Sequence, residues 1–313
     1  MAPMESPGIG GRCRMSATII SFVNLKGGVG KTALTVNVGV SLAAQLGKRV
    51  LVIDLDPQCN ASLWLMGEKA WVKRVKNKHA KTTYGLVCRH EPVGECIVHS
   101  PVENSEGIVE AGTLDLIPAS FHLMTLEEEY HHKEGTEQPY VRFYQQIKIL
   151  RGLYDFIFLD CAPNVYRATK CALFASDIIV APCSPDALSW LGLNLLASQI
   201  RKFGRATANE FAREREGQDL SLLGGIIIND VHSGYKNINK YTRDRFVDRL
   251  SRLKQAGFAT EDAQVFPTEV SHAPSAFQKD LFQFIPLLLS QPEDAKILKD
   301  YEKVAKTFFA MGS

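Results

Sequence analysis

Residues 24–32 read Asn24-Leu25-Lys26-Gly27-Gly28-Val29-Gly30-Lys31-Thr32. Directly before them stands an apolar, β-branched run, Thr18-Ile19-Ile20-Ser21-Phe22-Val23. After them Leu34, Val38, Leu42 and Leu46 recur every fourth residue, and Gly47 follows as a helix stop. Strand, glycine-rich turn, helix is the context that a phosphate-binding loop requires. Glycines without a Cβ let successive backbone N–H groups curl around an anion. The helix start adds free N–H donors and the positive end of its dipole. Lys31 then supplies a point charge at the β- and γ-phosphates, and Thr32 places a hydroxyl on Mg²⁺.

The chain has 313 residues, of which 45% are hydrophobic and 22% charged. That is an ordinary globular composition, long enough for a large α/β core. A net charge of +2 gives no global sign of a nucleic-acid binder, so any basic surface must be local. Seven cysteines without a C-x-x-C pair speak against a disulfide framework or zinc ribbon and fit a reducing cytosol. No run is long and apolar enough to span a bilayer. Residues 1–16 are rich in Gly, Pro and Met and lack an apolar signal core. A disordered leader is expected there, with Met15 as an alternative start, followed by one domain over residues 17–313.

Arg49-Val50-Leu51-Val52-Ile53-Asp54 reads as a strand buried on both faces and leads into Leu55-Asp56-Pro57-Gln58-Cys59-Asn60. Carboxylates at such a strand end, here Asp54 and Asp56, sit where open α/β sheets bind ligands. Tyr154-Asp155-Phe156-Ile157-Phe158-Leu159-Asp160 has the Walker B form, so Asp160 is expected to hold Mg²⁺, through water in ATPases of this kind. Segments 114–118, 176–182 and 222–230 read as further strands, and 187–203 as a helix. Residues 121–150 read as helical pieces broken near Gly135 and Pro139, with Glu127, Glu128 and Glu129 solvated. Asn229 ends its strand. Its amide either pairs with N6 and N1 of adenine as donor and acceptor or serves as a structural cap.

Residues 67–107 are the least legible. Lys69, Lys73, Arg74, Lys76, Lys78 and Lys81 occur with no acid among residues 69–81, and Trp64 and Trp71 lie close by. This is either a solvated helix face or a contact to a phosphate backbone or partner. His90, Cys96 and His99 fit no zinc signature. Residues 231–254, read as a helix, carry seven Lys or Arg against two acids, a net +5. Phe246, Leu250 and Leu253 share one face, and Arg245, Arg249 and Arg252 share another, with Lys240 one turn earlier. A closing helix sets Ile297, Leu298, Tyr301, Val304, Phe308 and Phe309 on one stripe and balances its lysines with acids. It is therefore expected to pack on the sheet and not on a membrane.

The loop departs from G-x-x-x-x-G-K-[ST], because Leu25 stands where the first glycine belongs and a second lysine, Lys26, follows. That K-G-G-x-G-K-T form resembles the deviant Walker A loop of the ParA/MinD ATPase family. Three further stretches carry the same resemblance: Asp54–Asn60, similar to the family's D-x-D-P-Q-G-N except at Cys59; Asp160-Cys161-Ala162-Pro163-Asn164, similar to D-C-P-P-S; and Phe266–Pro274, similar to I-P-x-x-V-x-x-A-P. The likeness runs over residues 17–310. It implies a mostly parallel twisted sheet with helices on both faces, and ATP with Mg²⁺ as ligands. Residues 26–33 and Asp54 would surround the nucleotide and metal, with Asn229 and Pro267 at the adenine. Thr32, Asp56 and Asp160 would serve Mg²⁺, and Cys161 would have no ligand duty. By the resemblance Lys26, Lys31 and Asp56 carry catalysis. Lys26 reaches the nucleotide of a second copy, and Asp56 orients the attacking water. Ala33 replaces a family threonine whose hydroxyl touches the α-phosphate, a loss of about 1 kcal/mol that weakens binding without removing it.

The resemblance further implies a cytoplasmic, nucleoid-associated partition or positioning ATPase with slow intrinsic turnover. Its ATP dimer would bind DNA non-specifically through Lys240, Arg245, Arg249 and Arg252. An adaptor of the centromere-binding type would stimulate hydrolysis and release it. Stable membrane contact is not expected. The rivals are a MinD-like membrane-cycling ATPase or another cargo-positioning ATPase, an iron–sulfur reductase ATPase, and a scaffold that only binds nucleotide.

Overall fold

The computed structural model describes residues 16–76, 81–88, 91–101, 112–126, 138–215, 222–232, 234, 236–273, 286–287 and 295–311. The expected leader (apart from Ser16), Met15, Lys78, His90, Glu127 to Glu129, Gly135 and Pro274 lie outside the described residues.

In chain order the elements are β1 (Thr18–Phe22), α1 (Lys31–Leu46), β2 (Arg49–Asp54), α2 (Asn60–Val75), α3 (Thr83–Cys88), α4 (Val93–Cys96), β3 (Val98–His99), β4 (Thr113–Ile117), α5 (Pro139–Lys148), β5 (Phe156–Asp160), α6 (Arg167–Ala175), β6 (Ile178–Cys183), α7 (Ala187–Ala206), α8 (Ala208–Glu214), β7 (Leu223–Ile228), α9 (Lys236–Gln255), β8 (Ala259–Val265) and α10 (Ala295–Met311). The strands form one eight-stranded sheet in the order β3-β4-β2-β5-β1-β6-β7-β8. Every neighbouring pair is parallel except β3 against β4.

The apolar runs explain the layers. β2, β5 and β7 are buried almost end to end, as strands covered on both faces must be. From β1 the chain passes through α1 to β2 on one side of β5. From β5 it passes through α6 to β6 on the other side of β1. Right-handed crossovers in opposite directions put α1 and α6 on opposite faces. They also open a crevice at the C-terminal ends of the central strands, where the strand order reverses. In register, Phe22 stands beside Asp160 and Asp160 beside Asp54, so the ends of β1, β5 and β2 meet at that crevice.

α10 lies against α1 and drives Phe308 between Phe22, Phe158 and Phe266, with ring centroids 5.9, 5.7 and 5.0 Å away. This is the inward packing expected of its stripe, except that Phe309 remains 40% exposed under the Lys48 ammonium. Pro139 opens α5 at its first turn, where its missing N–H is not needed. The basic helix begins at Lys236, five residues later than the charge pattern predicts. The reason lies in residues 229–231, which are tied to other strands. Asn229 N–H donates to Cys183 O, Val231 N–H to Val270 O, and His272 N–H to Val231 O. In the basic stretch before residue 82, Trp71 is buried and donates Nε1–H to Ala119 O. Arg74 donates to the carbonyls of Lys81, Glu95 and Cys96, so that arginine is not part of a solvated face.

Candidate functional site

The glycine loop leaves β1 and enters α1 with Gly28 at φ 75° and Gly30 at φ 85°, both in the left-handed region that glycine tolerates. Gly30 also needs its missing Cβ for space, since a Cβ there would collide with the Asn229 amide. Asn24 pins the loop from below. Its Nδ2 donates to Pro182 O at 2.6 Å, and its Oδ1 accepts from Lys26 N–H at 3.0 Å. Asn229 pins it from above through Nδ2 to Val29 O at 3.1 Å. The sequence places Asn229 either at an adenine or in a cap. In the structure it braces the loop and lines the cavity as well.

Lys31 is buried, with Nζ 3.3 Å from Lys26 O. Burial lowers its pKa, and the carboxylates of Asp160 and Asp56 and the Cys161 thiol oppose that fall. Thr32 Oγ1 donates to Asp160 Oδ2 at 2.8 Å, and Thr35 Oγ1 lies 3.4 Å from Asp160 Oδ1. Asp160 is fully buried. Desolvation, then the charge of Asp54, lifts its pKa well above the usual carboxylate range. Asp54, also fully buried, is pushed up to about 7 by burial, although hydrogen bonds from Ser62 Oγ, Ser62 N and Asp56 N hold it down. Asp56 accepts from Gln58 N–H at 2.9 Å and keeps one edge toward the cavity. Asp160 thus meets the Thr32 hydroxyl, Asp160 and Asp56 face Lys31, and Asp54 adds its charge beside Asp160. Desolvated acids that cannot all stay charged side by side are suited to a divalent cation. Oxygen donors from Thr32, Asp160 and Asp56 are the donor type that Mg²⁺ takes. The Cys161 thiol beside them is fully buried and pushed up by desolvation and Asp160, which makes it a poor nucleophile.

These groups border a cavity of about 630 Å³. Gly27, Gly28, Gly30, Lys31, Thr32, Ala33, Asp56 and Asn229 line it; Lys26, Val29, Asp54, Asp160 and Pro267 do not, Val29 being fully buried. Asp54 and Asp160 lie under the floor. Lys26 turns to its own chain, with Nζ 2.7 Å from Asp186 Oδ2 and 3.4 Å from Ser189 Oγ. Asp186 also caps α7 through Ser189 N–H. Burial would raise the Asp186 carboxyl, yet the Lys26 ammonium holds it below its ordinary range. Pro267, expected at the adenine, is exposed and does not line the cavity, which the chain reaches four to six residues later at Ser271, His272 and Ala273. Val270 N–H donates to Ile228 O, so the segment is drawn along β7 before it reaches the rim.

The expected DNA surface is only partly outward. Arg249 and Arg245 stack on Trp190 of α7, at 3.7 and 4.6 Å from the ring centroid, and Arg252 pairs with Asp248 at 3.0 Å. Lys240 is exposed. His99 bonds to Asp115, and Cys96 is fully buried. Trp64, Ile297 and Tyr301 also line the cavity. They had no local motif to announce them.

The family profile described as an AAA domain matches residues 17–212. The sporulation initiation inhibitor protein Soj of Bacillus subtilis strain 168 is 36% identical over 248 residues, 76% of this chain and 87% of Soj. The chromosome partitioning protein ParA of Caulobacter vibrioides is 31% identical over 186 residues, 59% of this chain and 62% of that protein. An ATP complex of a McdA variant from Cyanothece superposes with a TM-score of 0.65 over 94% of this chain and 97% of its own at 18% identity, a likeness of fold. The chain belongs to the ParA/MinD family of deviant Walker A ATPases, among relatives named for partition.

Proposed function

We propose that this chain is a partition or positioning ATPase that binds ATP with Mg²⁺ at the glycine loop, pairs with a second copy around the nucleotide, holds DNA non-specifically in that state and lets go after hydrolysis. The observation that carries the reading is the convergence of Lys31, Thr32 and Asp56 on one cavity, with Asp160 bonded to Thr32 beneath its floor, the four coming from three strand ends. The name of the Caulobacter relative and the ATP in the McdA complex point the same way.

In this reading the backbone amides of residues 27–31 and the α1 N-terminus receive the phosphates. Lys31, buried beside the carboxylates of Asp160 and Asp56, gives the phosphates its charge. Thr32, Asp160 and Asp56 would hold Mg²⁺, with Asp54 beside Asp160 beneath them. A bound Mg²⁺ would spread the charge that grows on the phosphate oxygens. Asp56 orients water from the switch after β2. Positioning without an added cation is slow, and an adaptor that improves the geometry speeds it. Lys26 leaves Asp186 to reach the partner copy's nucleotide. Exposed ion pairs of this kind hold only about 0–1 kcal/mol, so the exchange is energetically open.

Light scattering tests the pairing. Wild type is expected to dimerise with ATP and Mg²⁺, and Lys26→Ala to remain monomeric. An unchanged ATP dimer in the variant would remove the lysine from the interface.

A further inference from the structure

Asp230, His232 and His272 meet at the cavity rim, and neither the phosphate loop nor the aspartates account for them. Each offers one ligand atom, and these three atoms lie within 4.8 Å of one another. The backbone under them is fixed. Asp230 follows Asn229, which is tied to Cys183 O, and Val231 forms a parallel bridge with Ser271. Ser271 is held in turn by N–H and Oγ–H donated to buried Asp300 Oδ2, at 3.1 and 2.6 Å. Asp230 adopts φ 68°, a left-handed conformation rare outside glycine and found chiefly at constrained positions. There its Oδ1 stands 2.5 Å from His272 Nδ1. The His232 ring stacks on His272 with centroids 3.8 Å apart and planes at 27°.

Two imidazole nitrogens are borderline donors, and the carboxylate oxygen is a hard one that completes a His₂–carboxylate set. They suit Zn²⁺, Co²⁺ or Ni²⁺, whereas Mg²⁺ prefers oxygen alone. We propose that Asp230, His232 and His272 form a binding site for a divalent transition-metal ion of the Zn²⁺ class, distinct from the Mg²⁺ position at Thr32 and Asp160. In a tetrahedral shell with bonds of about 2.0 Å the ligand atoms stand about 3.3 Å apart. Binding would open the Asp230–His272 hydrogen bond from 2.5 Å and draw the wider pairs in, both by side-chain rotation, for which His232 is exposed and the Asp230 and His272 side chains are 46% and 33% exposed. Three protein ligands leave a fourth position for water or a ligand group. The ion would clamp the end of β7 to the segment after β8. Since Asp230 and His272 also line the cavity, it would sit at its mouth. Metal and nucleotide would then alter each other's affinity by the same factor.

The test titrates the full chain, with Mg²⁺ in excess and no nucleotide. ZnCl₂ is followed by calorimetry and CoCl₂ by visible absorption. The expected result is one Zn²⁺ per chain, at least about tenfold weaker in His232→Ala and in His272→Ala. The Co²⁺ form should show ligand-field bands without thiolate charge transfer. His232 is exposed, so its variant reports on the site even if His272→Ala fails to fold. Three outcomes would overturn the site: no saturable Zn²⁺ binding, undiminished binding in the His232→Ala variant, or a thiolate band assigning the ion to cysteine.

Discussion

Cys59 sits at φ 57°, fully buried, just before α2, and its N–H donates to Asp56 O at 2.9 Å. It forms the turn that presents Asp56 to the cavity. A Cβ in this conformation costs about 1–2 kcal/mol, which gives a physical reason for glycine at this place in the family pattern. Releasing that strain offsets the packing lost with the thiol, so Cys59→Gly should stay within about 1 kcal/mol of wild type in urea unfolding. Cys59→Val adds a branched side chain where φ is positive and should lose at least about 2 kcal/mol. A Val variant as stable as wild type would contradict the assignment. The loop lysines, Thr32, Asp54, Asp56 and Asp160 were legible in the sequence because each is fixed by its neighbours: a strand, a turn, a helix start. Asn229 on Val29, Asp186 on Lys26 and His272 on Asp230 were not. Those partners lie 200, 160 and 42 positions apart and meet only through the sheet. The motif around Pro267 brings Ser271, His272 and Ala273 to the rim, while Pro267 itself stays exposed, because the backbone runs along β7 before it turns to the cavity.

α9 tests a charge pattern at the scale of one helix. Its sequence offers basic groups in plenty, yet the fold commits many of them. Arg243 donates to the Val265 and Phe266 carbonyls, Lys254 to Glu261 O, Arg249 and Arg245 cover Trp190, and Arg252 pairs with Asp248. Reversing Arg249 would therefore loosen α9 from α7 as well as remove charge. Lys240→Glu with Arg252→Glu is the cleaner probe. The pair should weaken non-specific DNA binding by the ATP dimer and flatten its salt dependence by about one logarithmic unit per lost phosphate contact. Fluorescence anisotropy across a salt series measures both. An unchanged slope would move the DNA surface off this helix. Strand legibility divides along similar lines. β2 and β5 announced themselves by continuous apolar runs. β8, Ala-Thr-Glu-Asp-Ala-Gln-Val, escaped notice because an edge strand with one neighbour keeps polar residues facing solvent. β3, with two residues, is too short for any periodicity.

Over the whole molecule the deciding feature is the reversal of strand order around β1 and β5, which gathers three carboxylates and the glycine loop at one crevice. α10 closes the same face, burying Phe308 on β1 and β5 while Ile297 and Tyr301 line the cavity wall. The apolar stripe is thereby spent on the core. No helix among the described residues is long and apolar enough to cross a membrane. The fold class was readable from the order of motifs, because alternating strands and helices leave few right-handed arrangements. The cavity's far wall was legible only in the segment after β8, whose motif stretch holds Ser271, His272 and Ala273; Trp64 of α2 and Ile297 and Tyr301 of α10 carry no motif. The central claim is that this crevice binds an adenine triphosphate with Mg²⁺. Isothermal titration of ATP into the wild-type chain tests it most directly. Saturable heat at one ATP per chain is expected with Mg²⁺ present, and markedly weaker binding without it; absence of heat with Mg²⁺ present would rule out a nucleotide site in this crevice.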